Sequence, residues 1–145
     1  LGSLYPEDPQ KAAISDQWMT WSTDSFMGTF FPVFWQLVRT EEKDRDYAKI
    51  AEMAQQSADI LKVLNEYLIH NNFVAGDQFT FGDIPLGVLI HKYFVLDIKR
   101  PPLPGIEAWY ERLKERPAFR EHAMQPFGKS PSEFFALQAK GEETS

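Results

Sequence analysis

Phe79-Thr80-Phe81-Gly82-Asp83-Ile84-Pro85-Leu86-Gly87 is the stretch that decides the fold. Thr80 is a good helix N-cap, because its hydroxyl can accept a hydrogen bond from the backbone N–H of Asp83. Asp83 can in turn accept from the backbone N–H of Thr80, so the pair forms a structural capping box with Asp in place of the usual Glu. The segment 86–98 is mostly apolar. We therefore predict a capped core helix over residues 81–96.

The remainder of the chain predicts helices and no strands. Apolar residues in the segment 50–68 recur mostly at steps of three and four, which is typical of a helix with one buried face. Pro32 should kink or split the long first helix, because proline lacks a backbone donor. Ser130 and Glu133 form a second capping box, which opens the last helix. A polar tail over residues 139–145 should fray.

The predicted fold class is all-α, a single domain over residues 1–145. We expect a bundle of about six to seven helices. The first predicted helix covers residues 9–39. The second begins at the turn 41–46 and ends near residue 71. The others cover residues 81–96, 105–115 and 117–124, and a last short helix begins at residue 131 and ends where the tail starts.

Composition and charge exclude several classes of function. Apolar residues make up 43% of the chain and aromatic residues 14%, which is enough for a core. The formal charge of −6 argues against a nucleic-acid partner, which needs a basic face. No apolar run approaches the roughly 18 residues of a membrane span, and no signal peptide is recognisable. The absence of cysteine excludes disulfides and fits a cytoplasmic protein.

Candidate catalytic and metal-binding residues are few. His70, His91 and His122 lie far apart in sequence and show none of the short spacings of a metal site, so we read them as helix-surface or core residues. Asp83 could serve as a general base, but its pairing with Thr80 favours a structural role as a helix cap. The sequence therefore predicts no catalytic residue and no metal ligand.

The first helix carries more large apolar side chains than one face can hold. At about 100° per residue they surround most of the helix, which must be contacted on several sides. The core of the domain covers one side of the helix. The other sides could be covered by a partner domain, by a second subunit or by a ligand in an apolar cleft. The side chains are Trp18, Met19, Trp21, Phe26, Met27, Phe30, Phe31, Phe34 and Trp35.

The capping box resembles the one that starts the core helix in the C-terminal domain of glutathione transferases, in particular the bacterial type. There, Ser/Thr-x-x-Asp follows a Gly-Asp pair, which stands here as Gly76-Asp77. Three further segments fit the same family in the right order, and together the matches cover roughly residues 4–125. They are Tyr5-Pro6-Glu7-Asp8-Pro9 with the following Asp16–Trp21, Phe30–Phe34 around Pro32, and Leu103–Leu113 with Arg116-Pro117-Ala118-Phe119.

The resemblance implies that this domain works with an N-terminal thioredoxin-like domain. In the family that domain binds glutathione and carries the catalytic Ser, Tyr or Cys. No alternating strand runs occur in this sequence, so we expect the chain to be the second domain alone and inactive by itself. Glutathione would then be the co-substrate of the intact enzyme, and no cofactor would be bound by this domain alone.

The resemblance also implies a substrate cleft along the first helix. Aligning Trp18 and the Phe-x-Pro-x-Phe segment with bacterial members places four residues at spacings of 4, 3 and 4, on one face. The first two, Thr20 and Asp24, would approach the glutathione of the neighbouring subunit in a homodimer. Many relatives carry an acidic side chain at the first position, whereas Thr20 is not acidic. The last two would be apolar walls for a small hydrophobic electrophile. The four residues are Thr20, Asp24, Met27 and Phe31.

A second hypothesis belongs to another class of protein. The same helical fold serves as a docking domain in translation-factor and synthetase complexes, so the chain is alternatively a non-catalytic interaction module. The coding sequence upstream of this chain discriminates between the two. A thioredoxin-like domain there favours the enzyme, and a different domain favours the docking module.

Overall fold

Helices form nearly all the regular structure of residues 4–143, the part of the chain that the computed structural model describes. Within these residues there is no β-strand, only an isolated bridge between Phe73 and Gly76. The all-α prediction is thus confirmed. The helices are α1 (Pro9–Trp21), α2 (Met27–Phe34), α3 (Tyr47–His70), α4 (Asp83–Val95), α5 (Pro104–Lys114), α6 (Pro117–His122) and α7 (Pro131–Glu143).

The first helical path is not split at Pro32. Two π-helical segments, Ser22–Phe26 and Trp35–Arg39, join α1 to α2 and extend α2, so the helix continues from Pro9 to Arg39. Pro32 lies within α2. The wider π turns accommodate irregular backbone bonding without ending the helix; for example, the N–H of Met27 donates to the carbonyl of Ser22, five residues back.

The central helix α3 buries the face that its spacing predicts. Asp46 caps its N-terminus by accepting from the backbone N–H of Lys49 at 3.0 Å. Against this face pack α2 and α5. The buried members of the face are Ile50, Ser57, Leu61, Leu64 and Leu68, while Met53 and Ile60 are half-buried.

Helix α5 approaches α3 closely enough to require glycine. A Cβ atom on Gly105 would lie 2.3 Å from the backbone oxygen of Asn65. The Asn65 side chain in turn accepts from the backbone N–H groups of Gly105 and Ile106, at 2.9 and 3.3 Å. These are donors of the first helical turn that have no partner within the helix, so Asn65 caps α5 from another helix.

The predicted capping pair adopts a tighter turn than expected. Helix α4 begins at Asp83 rather than at residue 81, because the backbone N–H of Asp83 donates to the carbonyl of Thr80 at 3.1 Å. The Asp83 carboxylate accepts from the N–H of Thr80 at 2.8 Å. The Thr80 hydroxyl does not accept from the N–H of Asp83; it bonds to the Ser15 hydroxyl, 3.0 Å away, and contacts the carboxylate at 3.3 Å.

Asp83 is fully buried and ties separate parts of the chain together. Its Oδ1 accepts from the backbone N–H of Val74 at 3.0 Å and from the indole Nε1 of Trp109 on α5 at 2.8 Å. Burial raises the pKa of Asp83, and the hydrogen bonds from Thr80, Val74 and Trp109 oppose that rise. Every nitrogen around this carboxyl group is a donor, as an ionised carboxylate requires.

The C-terminal helix is longer than the sequence suggested. Ser130 accepts from the N–H of Glu133 at 3.3 Å, while Glu133 reaches back to the N–H of Lys129 at 2.9 Å. Helix α7 then continues to Glu143, across most of the segment 139–145 that was expected to fray. Alanine, glutamine and lysine near its end favour continuation, which adds one backbone bond per residue. Residues 144 and 145 lie outside the described part.

Replacing Asp83 tests its role in the core. Asp83→Ala should lower the free energy of unfolding by about 3 kcal/mol, because three N–H donors lose their acceptor. Thr80→Ala should cost about 1 kcal/mol, and the double variant should lose less than the sum. Denaturant titration measures each value. Asp46→Ala, which removes the exposed cap of α3, is the matched control at about 1 kcal/mol; an equal loss for Asp83→Ala would contradict the central role of Asp83.

Candidate functional site

The four residues expected to face a cleft all lie on the surface of the first helical path. Thr20 and Asp24 are exposed. Met27 and Phe31 remain 37% and 42% exposed, which is high for side chains of this size. All four side chains are thus exposed on the first helical path, and we call them the cleft row.

The large apolar side chains of the first helix divide between two faces. One set is buried: Trp18, Phe26, Phe30 and Phe34. Its centre is Phe26, which stacks on Phe30 at 5.2 Å and meets Tyr93 of α4 edge-on at 6.0 Å. Another set stays exposed: Met19, Met27, Phe31 and Trp35. One face thus forms core, and an adjoining face, offset by about 100° around the helix, is open to a ligand, domain or subunit.

The polar end of the cleft row carries an uncompensated negative charge. The Thr23 hydroxyl donates to the Thr20 carbonyl at 2.9 Å and contacts Asp24 Oδ1 at 3.2 Å. Among the side chains that the structure describes, Asp24 forms no ion pair. This carboxylate is therefore available to a cationic group on a ligand.

The apolar end extends beyond what the sequence analysis named. The ring of Trp35 lies 5.8 Å from that of Phe31. The Arg39 guanidinium lies 5.0 Å from the Trp35 ring and 4.1 Å from the ring of Phe134 on α7. Trp35 and Arg39 continue the four-residue spacing from Phe31, so the sequence contained a signal for both. Phe134 comes from a distant helix, and no local spacing indicates it.

The histidines lie in the core or on helix surfaces, as the sequence analysis predicted. His91 is buried, with Nδ1 2.8 Å from the hydroxyl of Tyr110, and burial lowers its pKa. His70 and His122 are exposed. The described residues contain no group of three or more potential metal ligands. None of the helices within residues 4–143 is long and apolar enough to cross a membrane.

Together these features define an all-α domain that presents one face of a long helix, acidic at one end and aromatic at the other. The family model for the C-terminal domain of glutathione S-transferases matches residues 25–117, well over half of the chain. The chain belongs to this family.

Individual relatives agree with the family assignment. The chain is 29% identical over 123 residues to glutathione S-transferase GstB of Escherichia coli, covering 85% of this chain and 59% of that protein. A theta class glutathione S-transferase from Xanthomonas axonopodis pv. citri superposes with a TM-score of 0.83 at 42% identity, covering 86% of this chain and 65% of that one. Its structure has also been solved with glutathione bound. The chain thus spans about 59% of the length of the curated relative.

The exposed apolar row predicts self-association of this chain in isolation. Met27, Phe31 and Trp35 are exposed and recur at four-residue steps, so a second copy can cover them, and a two-fold dimer is the commonest closed arrangement. Phe31→Glu should shift the chain to monomer in sedimentation at micromolar concentration. Val63→Glu is the matched control, since Val63 is a 58% exposed apolar residue on α3. A wild-type monomer that binds no hydrophobic dye would contradict the prediction.

Proposed function

We propose that this chain is the C-terminal domain of a two-domain glutathione transferase. It would supply the wall of the hydrophobic co-substrate site and much of a homodimer surface, while a thioredoxin-like domain binds glutathione. The family membership, the span of about 59% of the E. coli relative and the glutathione-bound Xanthomonas relative support this. The single observation that carries it is the exposed cleft row on the long helix.

The chemistry follows from the proposed division of labour. The thiolate of glutathione attacks an electrophilic carbon, a sulfur–carbon bond forms, and the leaving group departs with the bonding electrons. Ionising the thiol is the task of the thioredoxin-like domain, and this chain contains no cysteine of its own. Glutathione is a co-substrate in this scheme, and no further cofactor is required.

Each member of the cleft row has a distinct role in the proposal. The free carboxylate of Asp24 attracts the ammonium group of the γ-glutamyl residue of glutathione, from across the dimer interface. Thr20 lies beside it and offers only a neutral hydroxyl. Met27 and Phe31 pack against the electrophile, whose apolar body they shield from water. The reaction would take place in the cytoplasm.

Steady-state kinetics of the intact two-domain protein test these roles. Phe31→Ala should raise KM for 1-chloro-2,4-dinitrobenzene about fivefold and leave KM for glutathione unchanged, because only the apolar wall is lost. Asp24→Asn should raise KM for glutathione and spare the electrophile. Val63→Ala, an exposed apolar change on another helix, is the control. Equal effects of Phe31→Ala on both KM values would contradict the separate roles.

The 145-residue chain by itself should give no conjugation in the same assay, because the thiol-ionising domain is not part of it. Turnover comparable to that of the intact protein would contradict the proposal. The upstream coding sequence provides an independent check. A domain other than a thioredoxin-like one there would favour a non-catalytic interaction module.

A further inference from the structure

Two positive charges lie at the aromatic end of the cleft row. Arg39 ends the second π-helical segment, and Lys92 lies on α4. Both side chains are half-buried. Within the part of the chain whose side chains the structure describes, neither forms an ion pair with a carboxylate. A buried donor normally has a hydrogen-bond partner, so the side chain of Arg39, whose Nε has none among the described residues, needs an explanation.

Arg39 is held in place by aromatic rings. Its guanidinium lies 5.0 Å from the ring of Trp35 and 4.1 Å from that of Phe134, so the group is in cation–π range of two rings. Its Nε is buried and has no hydrogen-bond partner among the described residues. Ring faces stabilise the charge in part, but the buried Nε–H still lacks an acceptor.

Lys92 adds a second charge nearby. Its Nζ lies 5.3 Å from the ring of Phe34, which stacks against Phe31 at 6.4 Å. Burial and, after it, the charge of Arg39 lower the pKa of Lys92. The two like charges thus disfavour each other, and no described carboxylate forms an ion pair with either of them. A bound anion would relieve the repulsion and satisfy the donors.

We propose that Arg39 and Lys92 bind the anionic group of an aromatic acid whose ring packs on Phe31 and Trp35. The inference rests on the proposed function and narrows its substrate class: the electrophiles are aromatic compounds that carry a carboxylate or sulfonate remote from the reacting carbon. Arginine presents a planar fork of donors that matches such oxyanions. The exposed rings of Phe31 and Trp35 supply the apolar surface next to the fork.

Two dyes that differ by a single group provide a direct binding test. 1-Anilinonaphthalene-8-sulfonate and N-phenyl-1-naphthylamine share one ring system, and only the first carries a sulfonate. At protein concentrations where the chain is monomeric, the sulfonate should bind about tenfold more tightly in a fluorescence titration. Arg39→Gln should remove about tenfold of the affinity for the sulfonate and leave the neutral dye unchanged.

Matched variants separate recognition of the anion from a structural role. Arg116→Gln makes the same change at an arginine 3.9 Å from the ring of Phe79, and should alter neither dye. Arg39→Lys should recover part of the sulfonate affinity. If Arg39→Gln does not fold, Lys92→Gln takes its place, with a loss of about threefold for the sulfonate alone.

The contrary outcomes are equally clear. Equal wild-type affinity for the two dyes would overturn the proposal. An equal loss of affinity for both dyes in Arg39→Gln would also overturn it, because Arg39 would then only hold α7 against the first helix. Equal losses in Arg39→Gln and Arg116→Gln would show a general effect of charge, and would overturn it as well.

Conjugation assays on the intact protein keep this inference distinct from the proposed function. The substrates are 4-chloro-3-nitrobenzoate and its neutral amide. We expect kcat/KM to favour the benzoate about tenfold, and to lose that preference in Arg39→Gln. Equal turnover of both substrates would overturn the anion site and leave the transferase proposal standing. If neither substrate is conjugated while the sulfonate dye still binds selectively, the transferase proposal is overturned and the anion site stands.

Discussion

The buried carboxylate of Asp83 is the constraint on which the rest of the structure depends. It accepts from the loop residue Val74, from Thr80 at the start of its own turn and from the indole of Trp109 on α5. A carboxyl group buried this completely is costly unless several donors converge on it. The loop, α4 and α5 must therefore close together, and the bond between Thr80 and Ser15 adds α1 to the same assembly.

This closed core determines which part of the first helix is available for function. Gly82 lies so near α1 that a Cβ atom there would be 2.8 Å from the backbone oxygen of Ser15. That contact, and the stack of Phe26 and Phe30 against Tyr93, fix the rotation of the helix. With one face committed, the remaining apolar side chains have no place in the core. The exposed cleft row is thus a consequence of packing.

The sequence revealed those parts of this arrangement that local spacing encodes. The Thr80–Asp83 pair depends on neighbours within one turn and was predicted from the sequence. The cleft row from Thr20 to Phe31 was proposed from the family resemblance, and the structure shows its four side chains exposed. The bonds from Trp109 and Ser15 join distant segments, and no local signal indicates them. The tighter start of α4 was missed for the same reason, because the Thr80 hydroxyl is drawn to Ser15 instead of the backbone. Arg39 and Phe134 likewise meet only after α7 has docked.

The retained charges of Arg39 and Lys92 are the clearest departure from what stability alone would favour. Clamping α7 to the first helix requires only apolar contact, and a side chain such as methionine would pack between Trp35 and Phe134 without an unsatisfied donor. Exchanging buried charged groups for well-packed apolar ones is often neutral or stabilising. The chain carries a net charge of −6, yet no described carboxylate pairs with these two cations. A charge kept without a partner in an acidic protein is best explained by a partner that arrives with the ligand.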